Sequence, residues 1–176
     1  MTVHTSSGCR LSIGPVAGTS VLTASDFEAL TYTEISQIQD LGEFGDAAED
    51  LTFALVNDDR VHYRKGSVDG GMFSLLLSYD GGDAGQRALK AAAASWSDYA
   101  FKIEFGGGVG APPAEDVFYF RGQVLRFRNA VGPAGNALGV GSDIAITSAI
   151  VESAASLTVD SGEETVDSTI ISVDAG

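Results

Sequence analysis

The chain has 176 residues and a formal net charge of −14, from 24 acidic and 10 basic residues. This length suits one domain with a buried core, and the negative charge disfavours ordinary nucleic-acid binding through phosphate contacts. Only 19% of the residues are charged while 44% are hydrophobic, which is less charge than soluble domains usually carry, so we expect a partner to cover part of the surface.

The N-terminal segment is small, polar and without a sustained period, and we predict a flexible arm over residues 1–29. The start MTVHTSSGCRLSIG has no basic region followed by an apolar one, which predicts no secretory signal. No apolar stretch approaches the roughly 20 residues that a membrane span needs. The single cysteine, Cys9, has no partner for an internal disulfide, so we expect the chain to fold in a cytosol.

A hairpin is predicted in the next part of the chain. The run LTYTEISQIQ favours a strand, and the acidic segment EFGDAAED that follows it predicts a loop. Leu51, Phe53 and Leu55 then alternate with other residues, and a second alternating run begins at Val61 after the turn sequence NDDR. This pattern is typical of a β-hairpin, and we predict an extended hairpin loop over about residues 40–65.

A strand and a helix are predicted after the hairpin. Both faces of the run MFSLLLSY are partly apolar, which favours a central strand. Asp83 and Gln86 have the spacing of an N-cap and its capping-box partner. They begin a helix that we predict over about residues 84–97, with Leu89 and Trp96 on an apolar stripe that packs against the sheet.

Strands dominate the remainder. FKIEF and DIAITSAIV alternate cleanly, and the long run VFYFRGQVLRFR is interrupted at Gly122, where we predict a bulge or a close backbone approach. The segment 153–176 is predicted to be a C-terminal tail. The chain is therefore predicted to be one mainly β domain over residues 1–176, with a single flanking helix.

The glycine-rich turn YDGGDAG lies between a predicted strand and a predicted helix, where phosphate sites often lie. Asp80 and Asp83 occupy this turn, Lys90 lies nearly two turns into the helix, and the spacing fits neither the GxGxxG nor the P-loop pattern. A connector that caps the helix is the better interpretation.

Other chemistry is also poorly supported. A calcium site built from Asp69, Asp80 and Asp83 lacks the ordered spacing of an EF-hand loop. The two histidines, His4 and His62, supply neither a metal-ligand set with Cys9 nor a base beside a nucleophile. We therefore predict no enzymatic activity, no catalytic residue, no metal and no cofactor.

The order of these elements resembles a known family. A polar arm, an acidic hairpin loop, the block GSVDGGMFSLLLSYDGGDAGQRALKAAAASWSDYAFKIEF, then VFYFRGQVLRFR and a closing DIAITSAIV together resemble the major tail tube proteins of long-tailed bacteriophages and of phage-derived gene transfer agents. The block over residues 66–128 carries most of the likeness. This family is held together by the order of its elements more than by fixed residues.

The resemblance implies a β-sandwich whose sheet contributes to a shared barrel, with one flanking helix. It also implies a virion protein, assembled in the host cytoplasm, that forms homo-hexameric rings stacked into a tube. DNA would pass through the lumen without specific binding during ejection. The tape measure protein, the tail terminator and the distal tail protein would be its partners.

The hairpin is the expected contact between rings. A lone two-stranded hairpin is marginally stable in water, so this one needs a partner surface. We predict that Phe44, Leu51, Phe53 and Leu55 contact the next ring. Two alternatives stay open: a tail terminator or another head–tail connector that forms a single ring, and a calcium-dependent β-sandwich binding module, which the acidic loops would favour.

Overall fold

The structure is a computed structural model that describes residues 6–20, 23–106 and 116–154. Strands form most of the described chain, and two helices accompany them. The elements in chain order are β1 (Arg10–Val16), α1 (Ala24–Glu28), β2 (Thr33–Ile35), β3 (Ile38–Asp40), β4 (Ala47–Ala54), β5 (Val61–Asp69), β6 (Met72–Ser78), α2 (Ala84–Ala93), β7 (Tyr99–Phe105), β8 (Asp116–Ala130), β9 (Gly139–Ile146) and β10 (Val151–Ala154). The predicted C-terminal tail lies outside the described residues from residue 155 onward.

One antiparallel sheet has the order β2-β1-β7-β8-β9-β6-β3, and β10 also pairs with β8. The 15-residue strand β8 is shared along its length: residues 116–122 pair with β7, residues 116–119 also pair with β10, and residues 122–130 pair with β9. The sheet therefore curls into a half-barrel. The predicted fold class, a mainly β barrel-forming sheet, is confirmed, with α2 as the predicted flanking helix and the five-residue α1 as an additional one.

The core lies between the inner face of this sheet and α2. Strand β6 alternates as its sequence predicts, with Phe73, Leu75 and Leu77 buried while Met72 and Leu76 are exposed. Further buried side chains from β1, β2, β7, β8, β9 and α2 complete the cluster: Leu11, Ile13, Ile35, Leu89, Ala92, Phe101, Ile103, Phe120, Val124, Val140, Ile144 and Ile146. Strand β6 pairs with β9 on one side and with β3 on the other, so it lies inside the sheet as predicted. Met72 and Leu76 on its second face are exposed, so burial within the monomer does not explain why that face is apolar.

The start of α2 is fixed by two side chains. Asp83 caps the helix by accepting from the Gln86 N–H at 2.7 Å, as its position predicts. The Gln86 side chain is buried but does not complete a capping box. Its amide donates to the carbonyls of Ser36 at 3.2 Å and Ser78 at 2.8 Å, and its Oε1 accepts from the Asp80 N–H at 3.1 Å. These bonds attach the helix to β6 and to the β2–β3 connection.

The helix is shorter than predicted, and this changes the position of Trp96. Leu89 is fully buried, whereas Trp96 is 93% exposed, so the prediction that Trp96 packs against the sheet is wrong. The physical reason is that α2 ends at Ala93 with its C-cap at Ala94. The spacing of seven between Leu89 and Trp96 places two residues on one face only while the helix continues.

The predicted flexible arm is also corrected. Strand β1 lies inside the sheet, paired with β2 on one side and with β7 on the other. Its side chains Leu11 and Ile13 are buried, and Phe27 of α1 stacks on Tyr119 with ring centroids 5.6 Å apart. The short run RLSIGPV contains Gly14 and Pro15, which weaken the strand pattern. Long-range pairing with β2 and β7, rather than local propensity, forms this strand.

The second cluster beneath α1 contains two tyrosines with raised pKa values. Burial, with a smaller effect of Tyr119, raises the pKa of Tyr32 well above its usual range. The Tyr32 hydroxyl donates to the Phe27 carbonyl at 3.0 Å. Burial, followed by the charges of Glu28 and Glu104, raises the pKa of Tyr119. The ring of Tyr119 on β8 stacks on Phe27 and contacts Tyr32, so these ring contacts hold α1 against the sheet.

Two backbone features shape the strands. The predicted strand over residues 30–39 is split into β2 and β3 at Gln37, which has a φ of 62°. At Gly122 a Cβ would lie 2.7 Å from Ile144 Cγ2, so the predicted close approach is present, while the irregularity in pairing with β9 lies between Val124 and Arg126.

Paired alanine substitutions test the packing of α2. We expect Leu89→Ala to lower the free energy of unfolding by about 2–5 kcal/mol, since it empties a fully buried site. Trp96→Ala should change it by less than about 0.5 kcal/mol, because an exposed side chain contributes little to the monomer. Urea unfolding of the unassembled variants measures both values. Equal losses for the two variants would contradict the assigned positions.

A substitution of Gln86 tests the polar attachment of α2. Gln86→Met keeps the length of the side chain but leaves the carbonyls of Ser36 and Ser78 and the Asp80 N–H without their partner. We expect a loss of about 1–3 kcal/mol in the free energy of unfolding. Arg87→Met is the matched control, because Arg87 is the exposed neighbour in the same helix. A Gln86→Met variant as stable as this control would show that the bonds contribute nothing net.

Candidate assembly surfaces

The hairpin β4–β5 is a two-stranded sheet separate from the main sheet. Phe53 pairs with His62 and Leu51 with Arg64 on one face, while Ala54 pairs with Val61 on the other. Both faces carry exposed apolar side chains: Leu51, Phe53 and Leu55 are 41–49% exposed, and Val61, Tyr63 and Val68 are 55–70% exposed. A hairpin with two apolar exposed faces lacks the packing that would stabilise it in water.

The tip of the hairpin is held by local bonds. Asp58 accepts from the Arg60 N–H at 3.0 Å through one carboxylate oxygen and contacts His62 Nε2 at 2.7 Å through the other. The imidazole of His62 also stacks on the ring of Phe53, with centroids 5.5 Å apart. His62 therefore has a structural role in shaping the hairpin.

Of the four residues predicted to contact another ring, Phe44 lies elsewhere. Its ring packs against Phe73, Phe105 and Phe118 at centroid distances of 5.5–5.9 Å. It is partly buried against the main core and anchors the segment between β3 and β4. Phe44 is thus engaged within its own chain, which corrects its assignment to the contact surface. Leu51, Phe53 and Leu55 remain exposed in the hairpin.

Strand β8 has an edge without a strand partner. Its residues 123–130 pair with β9 on one side, while β7 on the other side ends at the pair Tyr99–Gly122. No other strand in the described ranges pairs with this edge. Unpaired strand edges favour the addition of another chain through backbone hydrogen bonds.

A groove next to this edge is bordered by exposed apolar side chains. It has a volume of about 220 Å³ and is lined by residues 93–96 and 123–125. Trp96 and Leu125 on its borders are 93% and 53% exposed. Aromatic side chains that are exposed in a monomer often become buried at protein interfaces. The sequence does not predict that Trp96 is exposed, because its spacing of seven from Leu89 suggests that the helix continues to it.

The outer face of β6, β8 and β9 combines apolar and charged groups. Arg126 forms an ion pair with Asp143 at 2.8 Å, and the Ser74 hydroxyl donates to the same carboxylate at 3.0 Å. Met72 and Leu76 are 51% and 42% exposed beside them. This face can contact a partner without burying an unpaired charge from Arg126 or Asp143.

The glycine-rich turn before α2 contains carboxylates where a phosphate site would need donors. Asp80 accepts from the Gly82 N–H at 2.8 Å, and Asp83 occupies the helix N-terminus. Asp69 accepts from the Gly71 N–H at 3.0 Å in a different turn. Within residues 6–20, 23–106 and 116–154, no group of three or more histidine, cysteine or acidic side chains could hold a metal ion. In the same ranges no helix has the length and apolar character to cross a membrane.

Comparison with known proteins identifies the fold through solved structures. No protein-family model matches the chain, and no curated protein sequence matches it significantly. A chain of the anti-feeding prophage baseplate superposes with a TM-score of 0.66 at 11% identity, covering 89% of this chain and 99% of that one. The SPP1 tail tube superposes with a TM-score of 0.61 at 12% identity, covering 84% and 77%.

A third similar structure is a chain of the sheath–tube complex of an extracellular contractile injection system, PVC, in its extended state. It superposes with a TM-score of 0.62 at 6% identity, covering 87% of this chain and 93% of that one. At these identities the likeness shows a shared fold. The chain therefore shares its fold with the SPP1 tail tube and with chains of a prophage baseplate and of a contractile injection system.

Hydrogen exchange of the unassembled chain tests the description of the hairpin. We expect amides of β4 and β5 to exchange faster than those of β7 and β8, because local opening of the hairpin breaks no pairing with the main sheet. Strand β1, which pairs on both sides, should be as protected as β7. Equal protection of β4, β5 and β7 would show that the hairpin is a stable part of the monomer.

Proposed function

We propose that the chain is a structural virion protein that self-assembles, as stacked hexameric rings, into the tail tube of a phage or gene transfer agent. The hairpin β4–β5 carries this proposal. It is separate from the main sheet, exposes apolar side chains on both faces and belongs to a fold shared with the SPP1 tail tube. A protein that remained a monomer would gain nothing from such a hairpin and would risk aggregation.

The hairpin is the proposed contact between rings. Leu51, Phe53 and Leu55 would be covered by a subunit of the next ring, while Val61 and Tyr63 on the opposite face would contact a further copy. Each apolar side chain that is covered contributes through the hydrophobic effect, at roughly 25 cal/mol per Å². Ordering of the marginal hairpin accompanies this burial.

The unpaired edge of β8 is the proposed contact within a ring. A neighbouring subunit can add a strand edge to residues 123–130, and its side chains can cover Trp96 and Leu125 in the adjacent groove. Backbone hydrogen bonds then satisfy the donors and acceptors that the monomer leaves without a strand partner. Repetition of this contact around six subunits would join six half-barrel sheets.

The charge of the chain suits a conduit for DNA. A net charge of −14 gives each subunit an electrostatic repulsion from phosphates. Lysine and arginine contacts with phosphates would add affinity and slow the passage of DNA. The proposed role is therefore passage of DNA through the tube during ejection, without specific binding. The tape measure protein, the tail terminator and the distal tail protein are the expected partners.

Removal of the hairpin tests the proposal. Ala47 and Asp69 are paired in register, so replacing residues 48–68 by Asn-Gly closes the chain with a two-residue turn. This variant keeps Phe44 and its core contacts. We expect a folded chain of nearly unchanged stability that still forms single rings through the β8 edge but forms no tubes, measured by urea unfolding and negative-stain microscopy beside the wild-type chain.

Two controls define the outcome of this experiment. Thr52→Ser changes an exposed residue of the same hairpin conservatively and should still form tubes. Single rings of the wild-type chain that never stack would instead indicate a tail terminator or connector. Tubes of normal length from the hairpin-deleted variant would show that the hairpin is dispensable for stacking.

A further inference from the structure

Arg121 is a buried cation that pairs with no carboxylate among the residues that the structure describes. It lies on β8 opposite Ala100 and is only 7% exposed. Its Nε atom is buried and has no hydrogen-bond partner, so the remaining exposure lies on other atoms of the residue. No ion pair in the described part of the chain includes its guanidinium. An arginine keeps its charge at all ordinary pH values.

This arrangement is unusual because buried charges in proteins are normally paired. The chain has 24 acidic residues for 10 basic ones, so carboxylates are abundant. Arg126, which is more exposed, has Asp143 at 2.8 Å, and Lys102 has Glu104 at 3.1 Å. The most buried cation of these three is the one that pairs with no carboxylate in residues 6–20, 23–106 and 116–154.

The polar groups around Arg121 already form other hydrogen bonds. Its N–H donates to the Ser148 hydroxyl at 2.9 Å, and its carbonyl accepts from the Thr147 N–H at 2.9 Å. The Thr147 hydroxyl also donates to the Asp98 carboxylate at 2.9 Å. The strand is therefore held in place, and Asp98 has a partner other than the guanidinium.

We propose that Arg121 binds a carboxylate supplied by a second copy of this chain. This inference rests on the proposed self-assembly and identifies one charged contact within it. A neighbouring copy is the favoured source because each copy carries an excess of carboxylates, whereas the same net charge repels free phosphates and nucleic acid. Arginine also suits buried interface ion pairs, since its planar group can bind both oxygens of a carboxylate.

Arg121→Met distinguishes an assembly role from a purely structural role through two measurements: the melting temperature of the unassembled chain and the extent of tube formation. It removes an unpaired charge from the monomer while keeping an unbranched apolar stem, so the melting temperature of the unassembled chain should stay the same or rise. Tube formation should fall at least tenfold, measured as the concentration of chain needed for half assembly in sedimentation. A lower melting temperature with normal assembly would overturn the proposal.

Arg121→Lys identifies the carboxylate. It keeps the positive charge and introduces an amine that a carbodiimide can couple directly to a contacting carboxylate. Assembled protein made from equal parts of ¹⁴N- and ¹⁵N-labelled chains should give a cross-linked peptide of mixed label at position 121, found by mass spectrometry. The unassembled protein should give none. A cross-link only within one label, for example to Asp98, or no cross-link from assembled protein, would overturn the proposal.

Inorganic phosphate distinguishes a free anion from a neighbouring chain. A phosphate-dependent rise in the melting temperature of the unassembled wild-type chain, lost in Arg121→Met, would assign the site to a free anion and reject the second copy. Wild-type chain that forms no oligomer would refute the proposed function itself. Wild-type tubes with equally competent Arg121→Met tubes would refute this inference alone.

Discussion

The pairing of β8 with three other strands is the interaction on which the rest of the structure depends. One end of β8 lies between β7 and β10, and the other end pairs with β9 alone. Because the partners change along one strand, the sheet curves instead of remaining flat. The curvature creates the concave side that α2 closes with Leu89 and Ala92. The same change of partners leaves one edge of β8 open, so the closed core and the open edge have a common origin.

The sequence predicts what depends on local alternation and capping. The alternation of Phe73, Leu75 and Leu77 identifies β6, and the position of Asp83 identifies the beginning of α2. The hairpin is predicted because its two alternating runs are separated by turn residues. In each of these cases a few neighbouring residues contain the physical cause of the structure.

Contacts between distant residues limit the prediction elsewhere. Strand β1 exists because β2 and β7 pair with it, and its own residues give a weak signal. Phe44 lies within the acidic segment that is predicted to be a loop, but it packs on three rings from β6, β7 and β8. Gln86 has the spacing of a capping-box residue, yet its amide reaches two carbonyls brought near by the fold. The sequence also does not predict that Arg121 pairs with no carboxylate in the described part of the chain, since every arginine in an acidic chain has many possible partners.

Because β3 and β6 are neighbours in the sheet, the segment between them can vary in length without altering the sheet. These two strands pair directly, with Ile38 opposite Leu77, so the chain leaves the main sheet after β3 and returns to it at the neighbouring strand β6. Everything from residue 41 to residue 71 is, in the topology of the sheet, one loop. The entropy of closing such a loop depends only weakly on its length. The hairpin can therefore lengthen, shorten or be replaced by another hairpin while the main sheet keeps its structure. Related chains could then differ in the surface that the hairpin presents and still share the half-barrel.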